Sequence, residues 1–395
     1  MHVNHPIWLR QVSTPGAVVF AIMFTLESLA RASLATVIPL QAYALLQDAR
    51  DVSLLYFGVG TTGLIGSFTI PLLIRRFRRR WVYSMGVAFL ILAAALLATG
   101  TIAGQAFGML IRAFGVASTN IALSLYVMDY IRRRDLVRSE PLKLMFGSLA
   151  WTAGPALGVY LYRDVGQAAA ELLSAASAAL LLGYFWVLRL QENPAVAAAT
   201  RPPPNPIRSI ARFLAQPRLR LAWVIPFGRS CWWAMFFVYP PLYMVKTGVG
   251  ELAGALLVSA GNAMLIMTPL VGRAAGRYGM RVLIVGAFIA SALFTSMAVL
   301  FFEVPWAVAA CLLTAAVAAV VLDAVGNIPF LRSVHPYERP QMTTVFRTYI
   351  DFSELLPGAV FALLLTFFDM RAVFLASGLL MLTAALLARH LPRRM

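Results

Sequence analysis

The chain has 395 residues, 61% of them hydrophobic and 12% charged, with a formal net charge of +17. A soluble domain carries roughly a quarter charged residues, so the polar surface of a soluble enzyme or binding module is missing. The positive balance does not point to nucleic acid, because the basic residues sit in short connections between apolar runs, where cytoplasmic loops of membrane proteins carry them.

Apolar runs of about twenty residues recur from end to end, each long enough to cross a bilayer core. They predict helices over residues 14–40, 53–74, 81–101, 104–130, 142–163, 167–190, 220–244, 250–272, 281–302, 305–331, 343–367 and 371–390. Helices are forced there because lipid offers no partner to free backbone groups. The first run exceeds the core of a signal peptide and lacks a cleavage site, so it reads as a retained span. The connections alternate. One set is rich in arginine: Arg75 to Arg80, Arg132 to Arg138, Arg201 to Arg220, Arg273 to Arg281, Arg332 to Arg339 and Arg389 to Arg394. The other set, near Asp48, Thr101, Arg163, Lys246, Glu303 and Asp369, is poor in positive charge. The positive-inside rule then places both termini and the long middle connection in the cytoplasm.

That middle connection divides the chain into 1–190 and 220–395, with 191–219 as a linker. It holds the stiff run Arg201-Pro-Pro-Pro-Asn-Pro206 and then Ile207 to Leu214, an amphipathic stretch suited to the inner leaflet. The two parts are weakly alike: Arg76 to Arg80 corresponds to Arg277 to Arg281, and Pro155 to Pro357. Parallel repeats of six helices are a known transporter architecture. The predicted fold is therefore an all-α membrane protein of twelve transmembrane helices in two six-helix bundles.

Three motifs resemble the major facilitator superfamily. Pro71-Leu-Leu-Ile-Arg-Arg-Phe-Arg-Arg-Arg80 and Gly272-Arg-Ala-Ala-Gly-Arg-Tyr-Gly-Met-Arg281 look like the family's loop motif, with Arg75 and Gly276 in the aspartate place. By this resemblance Arg76, Arg79, Arg80, Arg277 and Arg281 are expected at the gating loops. Arg112-Ala-Phe-Gly115 resembles the span-4 arginine motif, linked to proton transfer in proton-coupled antiporters. Gly154-Pro155-Ala-Leu-Gly158, within Gly147 to Gly158, resembles the glycine-proline motif of exporters. The resemblance implies a secondary transporter with Arg112 at its site, and tilts the direction toward export.

Charges inside the spans mark the candidate site, since each costs at least ~2.5–3.5 kcal/mol at the bilayer centre without a partner or a cavity. Span 1 carries Glu27 and Arg31 on one face with Phe20, Phe24 and Gln41, four apart and so neighbours. Its carboxylate resembles the membrane acid of several drug/proton antiporters. Arg229 in span 7, flanked by Trp232 and Trp233, lies near the repeat counterpart of Glu27, so the two are expected to face each other across a cavity. Arginine beside tryptophan suits an anion or a cation–π contact. Arg347, Asp351 and Glu354 fall on one stripe of span 11, with Arg347 expected to neutralise Asp351 and leave Glu354 to carry a proton. Asp323 and Asn327 share a face of span 10, while Asp129 is expected to pair with Arg132 to Arg134.

The four histidines, His2, His5, His335 and His390, lie in loops or at the ends, and no Walker loop is present. Cys231 and Cys311 have no metal or redox spacing. No enzyme, metal or cofactor is expected. The reading is a monomeric bacterial inner-membrane secondary transporter, using protons and surrounded by lipid, for a charged or amphiphilic organic solute. Uptake of an organic anion and a non-transporting receptor stand as alternatives.

Overall fold

The computed structural model describes residues 17–130, 136–188, 206–334 and 339–392. Among these residues every regular element is a helix. The Arg132 to Arg134 cluster, the side chain of Asp129 and the proline run of the linker lie outside what is described.

The first expected span is two pieces, α1 (Ala17–Ala32) and α2 (Val37–Leu46). The break at Ser33 to Thr36 precedes Pro39, which has no N–H for the Ala35 carbonyl and crowds it. There follow α3 (Ala49–Arg76), α4 (Arg79–Leu97), α5 (Ile102–Tyr130), α6 (Leu136–Tyr160) with a π turn at Leu161–Val165, and α7 (Ala169–Leu188). The amphipathic stretch forms α8 (Pro206–Leu214). Its Phe213 is buried in a cluster with Phe330, Met342 and Phe346, while Arg212 and Leu214 are exposed.

The second part runs through α9 (Pro217–Lys246), α10 (Glu251–Ala263), a 3-10 turn at Met264–Met267, α11 (Thr268–Tyr278), α12 (Met280–Leu300), α13 (Pro305–Val325), α14 (Ile328–Ser333), α15 (Arg339–Phe367) and α16 (Arg371–Ala388). Pro269 and Pro329 each open a new helix after an interruption, whereas Pro357 sits inside continuous α15. Nine stretches among the described residues are long and apolar enough to cross a membrane. The other three expected spans run as α3, α6 and α10 with α11.

Packing separates two cores. One gathers Phe20, Tyr83, Tyr126 and Phe185 from the first part of the chain. The other gathers Trp232, Phe236, Phe288 and Phe374 from the second. The two parts meet where α3 lies on α15 and α6 lies on α10. Glycine permits the first contact: a Cβ at Gly60 would stand 2.6 Å from Leu355 Cα, and one at Gly358 2.8 Å from the Phe57 nitrogen. Ser53 Oγ and Tyr239 Oη are bonded at 2.7 Å, and the Ala156 N–H donates to Ser259 Oγ at 3.0 Å. These contacts lie toward the arginine-poor ends of the helices, so the seam is tight there.

Candidate functional site

Helix α1 presents Glu27 to the interior of the first part, where it is fully buried. Thr119 Oγ1 on α5 donates to Glu27 Oε1 at 2.8 Å. One turn on, as the spacing of four requires, Arg31 Nη1 stands 3.8 Å from the same oxygen. Arg31 is the last basic residue of α1, just before the helix break. Its backbone carbonyl accepts from Arg112 Nη2 on α5 at 3.0 Å. Arg112 thus stabilises one of the carbonyls that a helix C-terminus leaves without an intrahelical partner. A guanidinium carries five N–H donors, so most of those on Arg112 remain for another partner. Among the described residues no carboxylate is in ion-pair contact with it.

Glu354 comes to the same region from the other part of the chain. It is carried by α15 and faces Gly63 of α3, where an added Cβ would stand 3.5 Å from Glu354 Oε2. Its carboxyl lies in the electrostatic field of Arg31, Arg112 and Asp351 while staying solvent-accessible. The close α3–α15 packing therefore brings a span-11 carboxylate within electrostatic reach of the two arginines of spans 1 and 4.

A second cluster belongs wholly to the second part. Arg229 Nε stands 3.2 Å from Asp323 Oδ1, and the Trp233 indole N–H donates to Asp323 Oδ2 at 2.8 Å. The Arg229 guanidinium lies over the Tyr349 ring at 5.8 Å and donates to Ser230 Oγ at 3.3 Å. Asp323 thus has a partner at each oxygen, and Arg229 is held in ion-pair contact with it, although its Nε makes no hydrogen bond among the described residues.

Aromatic side chains join the clusters. Arg31 lies over the Trp151 ring of α6 at 5.7 Å. Trp151 meets Phe237 at 5.4 Å and Phe237 meets Trp233 at 5.9 Å between ring centroids. An unbroken run of contacts leads from Glu27 through Arg31, Trp151, Phe237, Trp233 and Asp323 to Arg229.

Several expectations change. Glu27 and Arg229 do not meet across a cavity, because each is bonded within its own part of the chain. Trp232 is not a cavity aromatic: it is fully buried, donates to Thr295 Oγ1 at 2.9 Å and stacks on Phe236. Gln41 points away from Glu27 and bonds Glu171 instead. Phe24 is wedged against Gly147 of α6. Arg347 is exposed and Asp351 half-buried. Of the loop arginines, Arg76, Arg80 and Arg277 each lie 5.5–5.9 Å from the ring of the aromatic residue that follows them, while Arg79 and Arg281 are half-buried.

Trp151, Thr119 and Tyr349 escaped the sequence reading. Trp151 lies inside the Gly147 to Gly158 stretch, where the glycines drew the attention. Thr119 and Tyr349 carry no signal beyond being polar groups within apolar runs.

The sequence matches the model of the Major Facilitator Superfamily over residues 20–353. No curated protein matches it. Among solved structures, the nucleoside transporter NupG is similar with a TM-score of 0.72 and 13% identity, over 94% of this chain and 97% of that one. A POT family transporter in complex with 5-aminolevulinic acid gives 0.76 and 12%, over 94% and 95%. The peptide transporter POT in complex with sulfate gives 0.73 and 14%, over 95% and 94%. At these identities the structures speak for the fold, and with the family match they make the chain a multi-pass membrane transporter rather than an enzyme. This chain belongs to the Major Facilitator Superfamily.

Proposed function

We propose that the protein is a twelve-helix proton-coupled exporter of a small zwitterionic or amphiphilic organic solute. It works as a monomer in the bacterial inner membrane with both termini in the cytoplasm. Bundles 1–190 and 220–395, joined by the linker 191–219, rock about a site near the midplane.

The observation that carries this reading is the pairing of unequal neighbours at the seam. Arg112 bonds a carbonyl and no carboxylate among the described residues, and Glu354 stands in its field from the opposite side. An arginine at membrane depth with unspent donors is a seat for an anionic group, since guanidinium matches carboxylate and phosphate geometry. A carboxylate facing it is a seat for either a proton or an ammonium group, and these exclude each other. That exclusion is the chemistry of antiport. Solute leaves with its anionic end on Arg112 and its cationic end on Glu354, and a proton takes Glu354 on the return.

Glu27 is assigned a positioning role, holding Arg31 beside Trp151. Asp323 does the same for Arg229 and Trp233. The similar POT family transporter that holds 5-aminolevulinic acid, a compound with one amine and one carboxylate, supports this substrate class. The gating arginines Arg76, Arg79, Arg80, Arg277 and Arg281 are assigned to the cytoplasmic loops.

A second reading uses the same Arg112. A purely anionic solute would bind better when Glu354 is protonated, which is cotransport and uptake. The sign of the pH dependence separates the two. Solute binding to the purified protein, read by tryptophan fluorescence, should weaken as pH falls for a zwitterion, and Glu354→Gln should remove that dependence. Binding that strengthens as pH falls would favour anion cotransport. Binding that ignores pH in both proteins would remove Glu354 from the coupling.

A further inference from the structure

A second buried carboxyl lies away from this site. Glu171, in the first turn of α7, is 1% exposed, and Gln41, on α2, is 7% exposed. Gln41 Nε2 donates to Glu171 Oε1 at 2.6 Å. The other two oxygens, Gln41 Oε1 and Glu171 Oε2, are buried with no hydrogen-bond partner among the described residues. Both are acceptors if Glu171 is ionised, and two acceptors cannot satisfy each other.

We infer that Glu171 and Gln41 form a proton-binding site, in which Glu171 is held as the neutral acid. One proton on Glu171 Oε2 lets the acid O–H donate to the Gln41 carbonyl while the amide N–H donates to the acid carbonyl. A single proton removes both orphans and closes a ring of two hydrogen bonds. Reversing the amide leads to the same place, since the 2.6 Å contact then lies between two oxygens and itself needs a proton.

The surroundings support the neutral form. Among the described residues no cation is in ion-pair contact with Glu171, and the groups acting on it are Gln41 and its own backbone N–H. On the π turn after α6, Tyr162 is within electrostatic reach of both Glu171 and Glu251, while Arg163 and Asp164 are exposed and paired with each other. On α1, Glu27 and Arg31 are engaged together, with Glu27 beyond the bond from Ser174 Oγ to the Ala30 carbonyl. On α4, Arg79, Arg80 and Tyr83 lie toward the opposite end of α7, as does Tyr184 on α7 itself, and α2 adds Tyr43. The N-terminus of α7 favours an anion by a small amount, which is outweighed by the cost of an unpaired buried charge.

The site ties α7 to α2, the outer piece of the broken first span, which also packs against α9 across the seam. It is separate from Glu27 and Glu354, and it goes beyond the transport reading without resting on it. Its sign follows from linkage: a proton bound only in the fold gives a stability that is fully present below the ordinary carboxylate pKa and is lost progressively as pH rises above it until the proton leaves.

Glu171→Gln replaces the acid by an amide that makes the same two bonds. In the purified full-length protein this variant should melt within a few degrees of wild type at neutral pH, and it should lack the decline in melting temperature with rising pH that this site predicts for wild type. The infrared spectrum of wild type should contain a protonated carboxyl band that Glu171→Gln lacks. Gln41→Leu should lower the melting temperature at neutral pH. A Glu171→Gln protein that fails to fold or melts far lower at neutral pH, or an infrared difference showing a carboxylate band lost instead, would overturn the inference.

Discussion

The two charge clusters use the same chemistry to opposite ends. In the second part of the chain, Arg229 and Asp323 are in ion-pair contact at 3.2 Å and backed by Trp233 and Tyr349. In the first part, Glu27 takes Thr119 and Arg31, while Arg112 bonds a backbone carbonyl and no carboxylate among the described residues. One cluster pairs its cation with a carboxylate at ion-pair distance, and the other holds a cation with no carboxylate at that distance among the described residues. A charge buried at membrane depth is therefore not by itself a binding group. What matters is whether its charge is already paired within the fold.

Breaking the Arg229–Asp323 cluster should give the largest effect, and on stability. Asp323→Ala leaves Arg229 buried without its partner, which costs about 3–5 kcal/mol. Replacing both residues, as in Arg229→Met with Asp323→Leu, should recover most of that, because apolar groups of similar volume restore a buried ion pair at little cost. Thermal unfolding in detergent reads both. An Asp323→Ala protein as stable as wild type would mean that the pair is solvated and not a lock.

The Arg112 cluster should respond in binding instead. Arg112→Gln keeps one hydrogen bond to the Arg31 carbonyl and loses the charge. It should stay folded and bind solute roughly ten- to hundredfold more weakly, since a bond to a charged group is worth about 1.5–3 kcal/mol. Isothermal titration of wild type against variant measures this. Unchanged affinity would show that Arg112 serves the fold alone.

The aromatic link should give the smallest effect. Trp151→Leu removes the ring under Arg31, a contact worth about 0.5–2 kcal/mol. Transport should fall severalfold at subsaturating solute, and Trp151→Phe should recover part of it. Equal activity in all three proteins would make the run from Arg31 to Trp233 plain packing.

The helical membrane fold was legible because lipid leaves the backbone no other choice. The charged residues were legible for the same reason, because a charge in an apolar run stands out. Their partners were not. The repeat offset pairs Glu27 with Arg229, but sequence offset does not encode which neighbour lies within 4 Å in three dimensions. Trp232 and Trp233 look alike in sequence, yet adjacent positions on a helix face different ways: one is in the core and the other bonds Asp323. Pro39 carried the signal for the break in the first span, and it was outweighed by the length of the apolar run. Trp151 and Glu171 carried no local signal, since the role of each is set by residues far away in the chain.

The most direct test of the central claim is the sign of proton movement in proteoliposomes holding a trapped pH dye, with a zwitterionic solute imposed on one side. The account predicts that protons move against the solute with wild type and that Glu354→Gln abolishes the pH change. Solute that accumulates with no pH change, or protons that travel with it, would contradict antiport through Glu354.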